Sequence, residues 1–182
     1  MIGSNCKSNS KRVYIVNEGN FGSGNSSISV FDASTNNVVD DIYFSQNNSH
    51  IGDVAQSLNL INGNFYIVVN NSNKITICNQ NFQKTGQISG LTSPRYIQKI
   101  TNQRAYVTDL KSNKICIVDL NQNIIAGYVS CPGSTERMAM IYNKVFVCNT
   151  KRNYLYQINT STNLIEDSVF VGINARSEEH TS

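Results

Sequence analysis

A stretch of fifteen residues occurs three times along this chain at a spacing of 40 residues. YVTDLKSNKICIVDL (Tyr106–Leu120) has an upstream relative, YIVVNNSNKITICNQ (Tyr66–Gln80), and a downstream relative, FVCNTKRNYLYQINT (Phe146–Thr160). A repeat of this period constrains the fold more than any local signal, because each repeat must be one structural unit that packs on the next.

Each repeat reads as four short apolar runs separated by turns rich in Asn, Gly and Ser, which is typical of β-strands. None of these runs shows the 3.6-residue spacing of an amphipathic helix. Four strands in 40 residues correspond to one blade of a β-propeller. The sequence therefore predicts an all-β fold, a partial β-propeller of about four four-stranded antiparallel blades, at residues 11–46, 52–90, 93–131 and 134–171.

The first unit differs from the other three. It offers only three predicted strands, Lys11–Val16, Ser27–Asp32 and Asn37–Phe44, so it lacks an innermost strand. A closed ring of seven such blades would need about 280 residues, so we expect this chain to be part of a longer ring. Residues 1–10 are interpreted as a tether, and the tail Arg176–Ser182 as a sequencing-adapter artefact or a natural polar tail.

Charge and hydropathy argue against several classes of partner. The net charge of +3 is small and its Lys and Arg residues are scattered, which does not favour binding to nucleic acid or to a membrane surface. No apolar run is long enough for a membrane helix, and residues 1–11 lack the apolar core of an export signal. Cys6 is either a lipidated cysteine on the tether or an ordinary exposed thiol.

The other four cysteines form no C-x-x-C pair, and three of them lie in predicted strands, so we interpret them as small apolar core residues. The sequence shows no phosphate-binding glycine motif and no G-x-S-x-G. If the tail is an artefact, His50 is the one histidine left, which excludes a Ser/His/Asp triad or a multi-histidine zinc site within this chain. We therefore expect a protein that is not an enzyme and needs no metal or cofactor.

Ligands of propellers usually bind where the innermost strands begin, at one end of the central channel. The loops that reach this end carry hydrogen-bonding groups of both charges and two aromatic rings, a set that suits a large, polar, uncharged or zwitterionic ligand. The alternative is that these residues are solvated loop tips. The candidate ligand-binding residues are Glu18, Phe21, Asp53, Asn70, Arg95, Tyr96, Asp109, Glu136 and Arg137.

Six segments carry a family resemblance: VYIVNEGNFGSGNSSISVFD, GDVAQSL, YIVVNNSNKI, SPRYI, AYVTDLKSNKI and CPGSTE. In this order they resemble the YncE-like propellers of the DUF5074 type, surface and periplasmic lipoproteins of gut Bacteroidetes. The resemblance covers Lys11 to about Gly172. It implies a seven-bladed propeller at the outer membrane surface or in the periplasm, and its best understood members capture corrinoids, the vitamin B12 class, for an outer-membrane transporter.

Three functions follow from these patterns. The first is a non-enzymatic propeller that captures a nutrient, with corrinoid implied by the resemblance. The second is a scaffold or surface-layer propeller that binds another protein and no small molecule. The third is an enzyme such as a metal-dependent lactonase, whose carboxylates and histidines would have to lie in blades outside this chain.

Overall fold

The computed structural model describes residues 11–173, which form fifteen β-strands and one short helix. Residues 1–10, with Cys6, and the predicted tail Arg176–Ser182 lie outside the described part. The elements are β1 (Arg12–Asn17), β2 (Ser27–Asp32), β3 (Asn37–Val39), α1 (Ile42–Asn47), β4 (Ala55–Ile61), β5 (Asn64–Val69), β6 (Lys74–Cys78), β7 (Lys84–Ile88), β8 (Pro94–Lys99), β9 (Arg104–Asp109), β10 (Lys114–Asp119), β11 (Ile124–Ser130), β12 (Thr135–Ile141), β13 (Lys144–Asn149), β14 (Tyr154–Asn159) and β15 (Leu164–Phe170).

The strands form four antiparallel sheets in which consecutive strands are neighbours. Blade I has the three strands β1–β3, and each of the other blades has four: β4–β7 in blade II, β8–β11 in blade III and β12–β15 in blade IV. This confirms the predicted all-β fold and the repeat of four strands. Asn residues supply the left-handed backbone that many turns require, as at Asn123 and Asn163 (both φ 57°).

Apolar side chains between successive sheets form the core. Ile28 and Val30 of blade I meet Phe65 and Ile67 of blade II. The other face of blade II packs on blade III, and the other face of blade III packs on blade IV. Because blades II and III are covered on both faces, their strands can be apolar almost without interruption. In a sheet with one face in solvent, apolar and polar residues alternate along each strand.

The order of strands from the channel outwards follows from contacts between blades. The innermost strands β4, β8 and β12 pack against one another in sequence, and β5 and β9 also contact the inner strand of the next blade. In the same way β1 packs against β4. β1 therefore holds the second position in blade I, as the sequence predicted for a unit that lacks its innermost strand.

The structure corrects one predicted strand. The third strand of blade I was expected over Asn37–Phe44, but β3 ends at Val39 and the helix α1 follows over Ile42–Asn47. The side chain of Asp41 caps this helix by accepting a hydrogen bond from the N–H of Phe44, and Asn48 ends it with a left-handed backbone. An N-cap carboxylate satisfies an N–H group that the first turn leaves unpaired, so a helix is favoured here over further strand.

Cys78, Cys116 and Cys131 are buried in the core, as expected of small apolar residues, and Cys148 is half-buried. No disulfide joins these four cysteines. Among the residues that the structure describes, no helix is long and apolar enough to cross a bilayer.

Two apolar sheet faces stand at the ends of this arc. On blade I, Val13, Ile15 and Val38 are 53%, 42% and 56% exposed. On blade IV, Val169 is 56% exposed and Phe146 is half-buried. The equivalent faces inside the arc are covered by neighbouring blades.

Candidate functional site

The three innermost strands share a β-bulge just after they begin. In β4 the pairing with β5 shifts between Ala55 and Ser57, in β8 between Pro94 and Ile97, and in β12 between Thr135 and Met138. A bulge re-aims side chains and often lies beside a functional site. The displaced residues are Gln56, Arg95, Tyr96, Glu136 and Arg137, and all five lie at the same end of the central channel.

A polar chain across these bulges connects three blades. The Arg95 side chain donates from Nε to Glu136 Oε2 at 3.1 Å and from Nη1 to Gln56 Oε1. Arg95 and Glu136 side chains are 20% and 17% exposed, so their charges are partly withdrawn from water and depend on each other. One guanidinium thus joins blade III to blades II and IV.

A second layer of the same site is aromatic. The guanidinium of Arg137 lies over the ring of Tyr96, with Cζ 5.0 Å from the ring centroid, which is a cation–π geometry. Gln56 Nε2 lies 3.4 Å from the hydroxyl oxygen of Tyr96 and donates to it, which ties this layer to the polar chain.

A cavity of about 320 Å³ opens beside this layer. Its lining contains one cationic side chain, four polar uncharged side chains, one phenol and four aliphatic ones, and no carboxylate. The volume falls at the lower end of the range for small-molecule sites, so a large ligand would place only part of itself in the cavity and the rest on the surrounding mouth. The lining residues are Val16, Gln56, Ser57, Leu58, Asn59, Tyr96, Ile97, Gln98, Arg137 and Met138.

Asp53 anchors the long loop that follows β1. Its Oδ2 accepts hydrogen bonds from the N–H of Gly22 at 2.9 Å and from the amide of Asn71. The Asn71 amide, helped by the backbone N–H groups of Gly22 and Gly24, lowers the pKa of Asp53 below its usual value. The carboxylate therefore stays ionised and holds the loop at this end of the channel.

The other two candidates on that loop are exposed. The backbone carbonyl of Glu18 accepts from the Ser26 hydroxyl at 2.6 Å, while the Phe21 side chain is 79% exposed. The Phe21 ring therefore presents apolar surface to solvent at the end of the molecule where the bulges lie.

Asn70 and Asp109 hold neighbouring segments together and do not line the cavity. The Asn70 amide donates to the Ser93 hydroxyl at 3.0 Å and to the Pro94 carbonyl at 2.9 Å, which joins blade II to blade III. Asp109 is 1% exposed, and its carboxylate accepts from the N–H groups of Ser93 at 2.8 Å and Lys111 at 2.9 Å. These contacts shape the turn from which Arg95 and Tyr96 project.

The structure thus brings together four of the nine predicted residues, Arg95, Tyr96, Glu136 and Arg137. They lie around Gln56, which is not one of the nine. The bulges that position them were not part of the sequence prediction. A usable signal was the recurrence of Ser-Pro-Arg-Tyr (93–96) as Ser-Thr-Glu-Arg (134–137) at the start of successive units.

Among the residues that the structure describes, this mouth contains the Arg95–Glu136 ion pair, amide side chains, the ring of Tyr96 and the guanidinium of Arg137 stacked on it. In residues 11–173 no group of three or more His, Cys, Asp or Glu side chains is placed to hold a metal ion.

Comparison with solved structures shows the fold. Hydrazine synthase from Kuenenia stuttgartiensis matches with a TM-score of 0.66 and 12% identity, covering 78% of this chain and 42% of that one. The β-propeller domain of Cps50 (Swd1) from Myceliophteria thermophila matches at 0.67 and 9%, over 83% and 51%. The WD40 domain of Pan2 from Neurospora crassa matches at 0.67 and 10%, over 88% and 47%. The chain spans about half the length, or less, of these structures.

No curated protein matches the sequence. A family match covers residues 11–176, which include the whole described part of the chain, and its description is a domain of unknown function, DUF5074. The family resemblance predicted from the sequence is confirmed at this level, and the chain belongs to the DUF5074 family of β-propellers.

Proposed function

We propose that this chain is a non-enzymatic binding module that captures a large polar, uncharged or zwitterionic ligand at the mouth of its channel. The observation that carries the proposal is the site formed by three successive bulges: Gln56, Arg95 and Glu136 linked across three blades, with Arg137 stacked on Tyr96 beside the cavity.

The geometry favours a ligand with many hydrogen-bonding groups over a polyanion. Arg95 is already neutralised by Glu136, so the mouth does not present a dense positive charge. The amides of Gln56, Asn59 and Gln98 can each donate and accept, which matches neutral amide or hydroxyl groups. These side chains project from paired strands within packed sheets, so we expect little ordering entropy to be lost on binding.

Corrinoid is the specific ligand that we propose to test first. The support is the resemblance of the segments quoted above to corrinoid-capturing DUF5074-type propellers, together with a mouth rich in amides and an aromatic ring. On the same grounds we propose a location at the outer membrane surface or in the periplasm, and delivery of the ligand to an outer-membrane transporter.

Isothermal titration of the full chain with cyanocobalamin tests this proposal. We expect saturable heat, and red colour retained with the protein after gel filtration. Arg95→Ala should weaken binding by about tenfold or more, since it removes both polar links. The control Arg12→Ala changes an arginine on blade I, away from the mouth, and should bind as the wild type does. Absence of heat and colour would remove corrinoid as the ligand.

A protein-binding scaffold is the second candidate, and Phe21 favours it. A phenylalanine that is 79% exposed on the loop beside the mouth offers an aromatic side chain of the kind enriched at protein interfaces. The wild-type chain should then capture a transporter subunit in the absence of corrinoid, and Phe21→Ala should abolish that capture. Capture that Phe21→Ala leaves unchanged would contradict this role.

A further inference from the structure

An arginine and a tyrosine of β9 join blade III to blade IV at the end of the blades away from the channel mouth. They are the first and third residues of that strand. Arg104 donates from Nη2 to the carbonyl of Thr160, and the Tyr106 hydroxyl donates to Asn163 Oδ1. Both acceptors lie in the turn between β14 and β15, so this turn closes the interface at that end.

Blade I has the same two residue types at the equivalent positions, because Arg12 and Tyr14 are the first and third residues of β1. Within residues 11–173 neither forms a hydrogen bond with blade II. Arg12 has a loose ion pair in its own blade, with Nε 3.8 Å from Asp32 Oδ2. The ring of Tyr14 packs on Phe65 and Phe82, with centroids 4.8 Å and 5.6 Å away, and its hydroxyl bonds to no other described residue.

The difference lies in the turn between β6 and β7. Five residues separate the paired Cys78 and Lys84, whereas six separate the equivalent pair, Val118 and Ile125. The last residue of the shorter turn with a left-handed backbone is Phe82 (φ 61°), where blades III and IV have an Asn (φ 57°). This turn therefore lacks the amide that binds a tyrosine in the other two interfaces. A left-handed backbone is costly for a bulky residue, and such outliers cluster at ligand-binding sites.

A cavity of about 430 Å³ lies where these bonds are missing, between blade I, α1 and the β6–β7 turn. Its volume is within the range of small-molecule sites. Arg12, Asp32 and Tyr14 all line it, together with amides and aliphatic side chains. Every lining residue is a described residue of blade I, α1 or blade II, and none of them lines the cavity at the mouth.

The lining places opposite charges side by side. The 3.8 Å between Arg12 Nε and Asp32 Oδ2 is longer than a hydrogen bond, so both groups can bind a further partner. The Ser34 hydroxyl donates to Asp32 Oδ1, and the Ser34 N–H donates to the same oxygen at 2.9 Å. These bonds lower the pKa of the Asp32 carboxyl below its ordinary value, so it is ionised at neutral pH, and they leave Oδ2 facing the cation.

We propose that this cavity binds a free α-amino acid with an aromatic side chain. The carboxylate of the ligand accepts hydrogen bonds from the Arg12 guanidinium, and its ammonium group donates to Asp32 Oδ2, both charge-assisted. Its ring lies against the aliphatic side chains of Val39 and Ile42 and beside the ring of Tyr14. The interior of a peptide carries neither charge, so a free amino acid matches this lining better than a longer chain does.

Isothermal titration of the full chain with L-phenylalanine, in the absence of cobalamin, tests the proposal. We expect saturable heat. Phenethylamine lacks the carboxylate and 3-phenylpropionate lacks the ammonium group, so each should bind more weakly by about tenfold or more. Because this cavity and the channel mouth share no residue, the result does not depend on the ligand proposed above.

Variants of the chain locate the site. Arg12→Gln and Asp32→Asn each remove one charge of the pair, and each should weaken the binding of L-phenylalanine by about tenfold or more. Arg104→Gln is the matched control, because it changes the equivalent arginine of β9 and the introduced amide can still donate to the Thr160 carbonyl. It should leave binding unchanged. No saturable heat up to about 10 mM L-phenylalanine, equal binding of the three compounds, or equal effects of Arg12→Gln and Arg104→Gln would each overturn the proposal.

Discussion

Arg95 is the residue on which the candidate site depends most, because its guanidinium connects Gln56 on one blade with Glu136 on another. Its side chain and that of Glu136 are about four-fifths buried, which removes much of the water that could replace a lost partner. The energetic role of this arginine therefore differs from that of an arginine paired at the surface.

We expect Arg95→Ala to lower the free energy of unfolding by about 2 kcal/mol, since it leaves the Glu136 carboxylate partly buried without its cation. Arg12→Ala is the matched control: Arg12 is 51% exposed and lies 3.8 Å from Asp32, so its loss should cost about 0.5 kcal/mol or less. Urea unfolding of both variants gives the comparison. Equal costs would mean that the polar chain does not join the blades.

The buried thiols should make the stability of the fold depend on pH in the alkaline range. Burial raises the pKa of Cys78 to about 12, and that of Cys116 and Cys131 to about 11, from an ordinary value of 9.0. The folded chain keeps these thiols neutral while the unfolded chain ionises them above pH 9.0. Their contribution to stability is therefore complete below pH 9.0 and is lost as the pH rises towards 11 and 12.

We expect the free energy of unfolding to fall by about 1.4 kcal/mol per pH unit for each of these thiols once the pH exceeds about 9. Urea unfolding across this range measures the slope. Cys78→Ala should lower stability at every pH through its cavity, yet reduce the slope by the share of one thiol. An unchanged slope in that variant would show that Cys78 does not contribute.

At the scale of elements, α1 follows the short outer strand β3 and joins blade I to blade II. The Asn47 amide, in its last turn, donates to the carbonyls of Tyr43 at 2.7 Å and Phe82 at 2.8 Å, and its Oδ1 accepts from the N–H of Lys84 at 2.8 Å. Phe82 has a left-handed backbone (φ 61°), unusual for a bulky residue, and Asn47 holds that turn in place.

We expect Asn47→Ala to lower the free energy of unfolding by about 2 kcal/mol, because three hydrogen bonds to the helix and to the β6–β7 turn are lost together. Gln46→Ala, at an exposed neighbouring position, should change stability by about 0.5 kcal/mol or less. Faster amide exchange at Lys84 in the first variant alone would locate the effect. Equal stability of the two variants would argue against a joint at Asn47.

The sequence predicted the regular elements well and the irregular ones poorly, for a physical reason. Alternating and continuous apolar runs such as those of β5 and β13 identify strands, because burial between neighbouring blades determines them. At residues 37–44 the same β-branched and aromatic signal ran through Val39 into Ile42 and Tyr43, and the N-cap at Asp41 decided the outcome. A cap acts through one hydrogen bond and hardly changes the spacing of apolar residues from which strands are predicted.

The candidate site was predicted in part for the same reason. Arg95, Tyr96, Glu136 and Arg137 could be assigned to one end of the channel from strand order alone. Residue type alone could not show that Asn70 and Asp109 form hydrogen bonds with neighbouring segments. An amide or carboxylate at a strand end can stabilise a turn as readily as it can bind a ligand.

At the scale of the whole molecule, each blade is stabilised chiefly by the blades beside it, as in other repeat proteins. The repeat allows equivalent positions to be compared directly: Tyr66, Tyr106 and Phe146 occupy the same place in blades II, III and IV. Tyr66 and Tyr106 are 3% and 0% exposed because the next blade covers them, and each hydroxyl bonds to an Asn in that blade, Asn123 or Asn163. Phe146, on the last described blade, is only half-buried.

This series predicts unequal costs for the same truncation. Tyr106→Ala should lower the free energy of unfolding by about 3–5 kcal/mol, the range for a large aromatic side chain removed from a core. Phe146→Ala should cost about half as much, since part of its surface is already in water. Urea unfolding, repeated at two protein concentrations, provides the test. If the two truncations cost the same, the outer face of blade IV is covered in solution, and a cost that rises with concentration would identify a second copy of the chain as the cover.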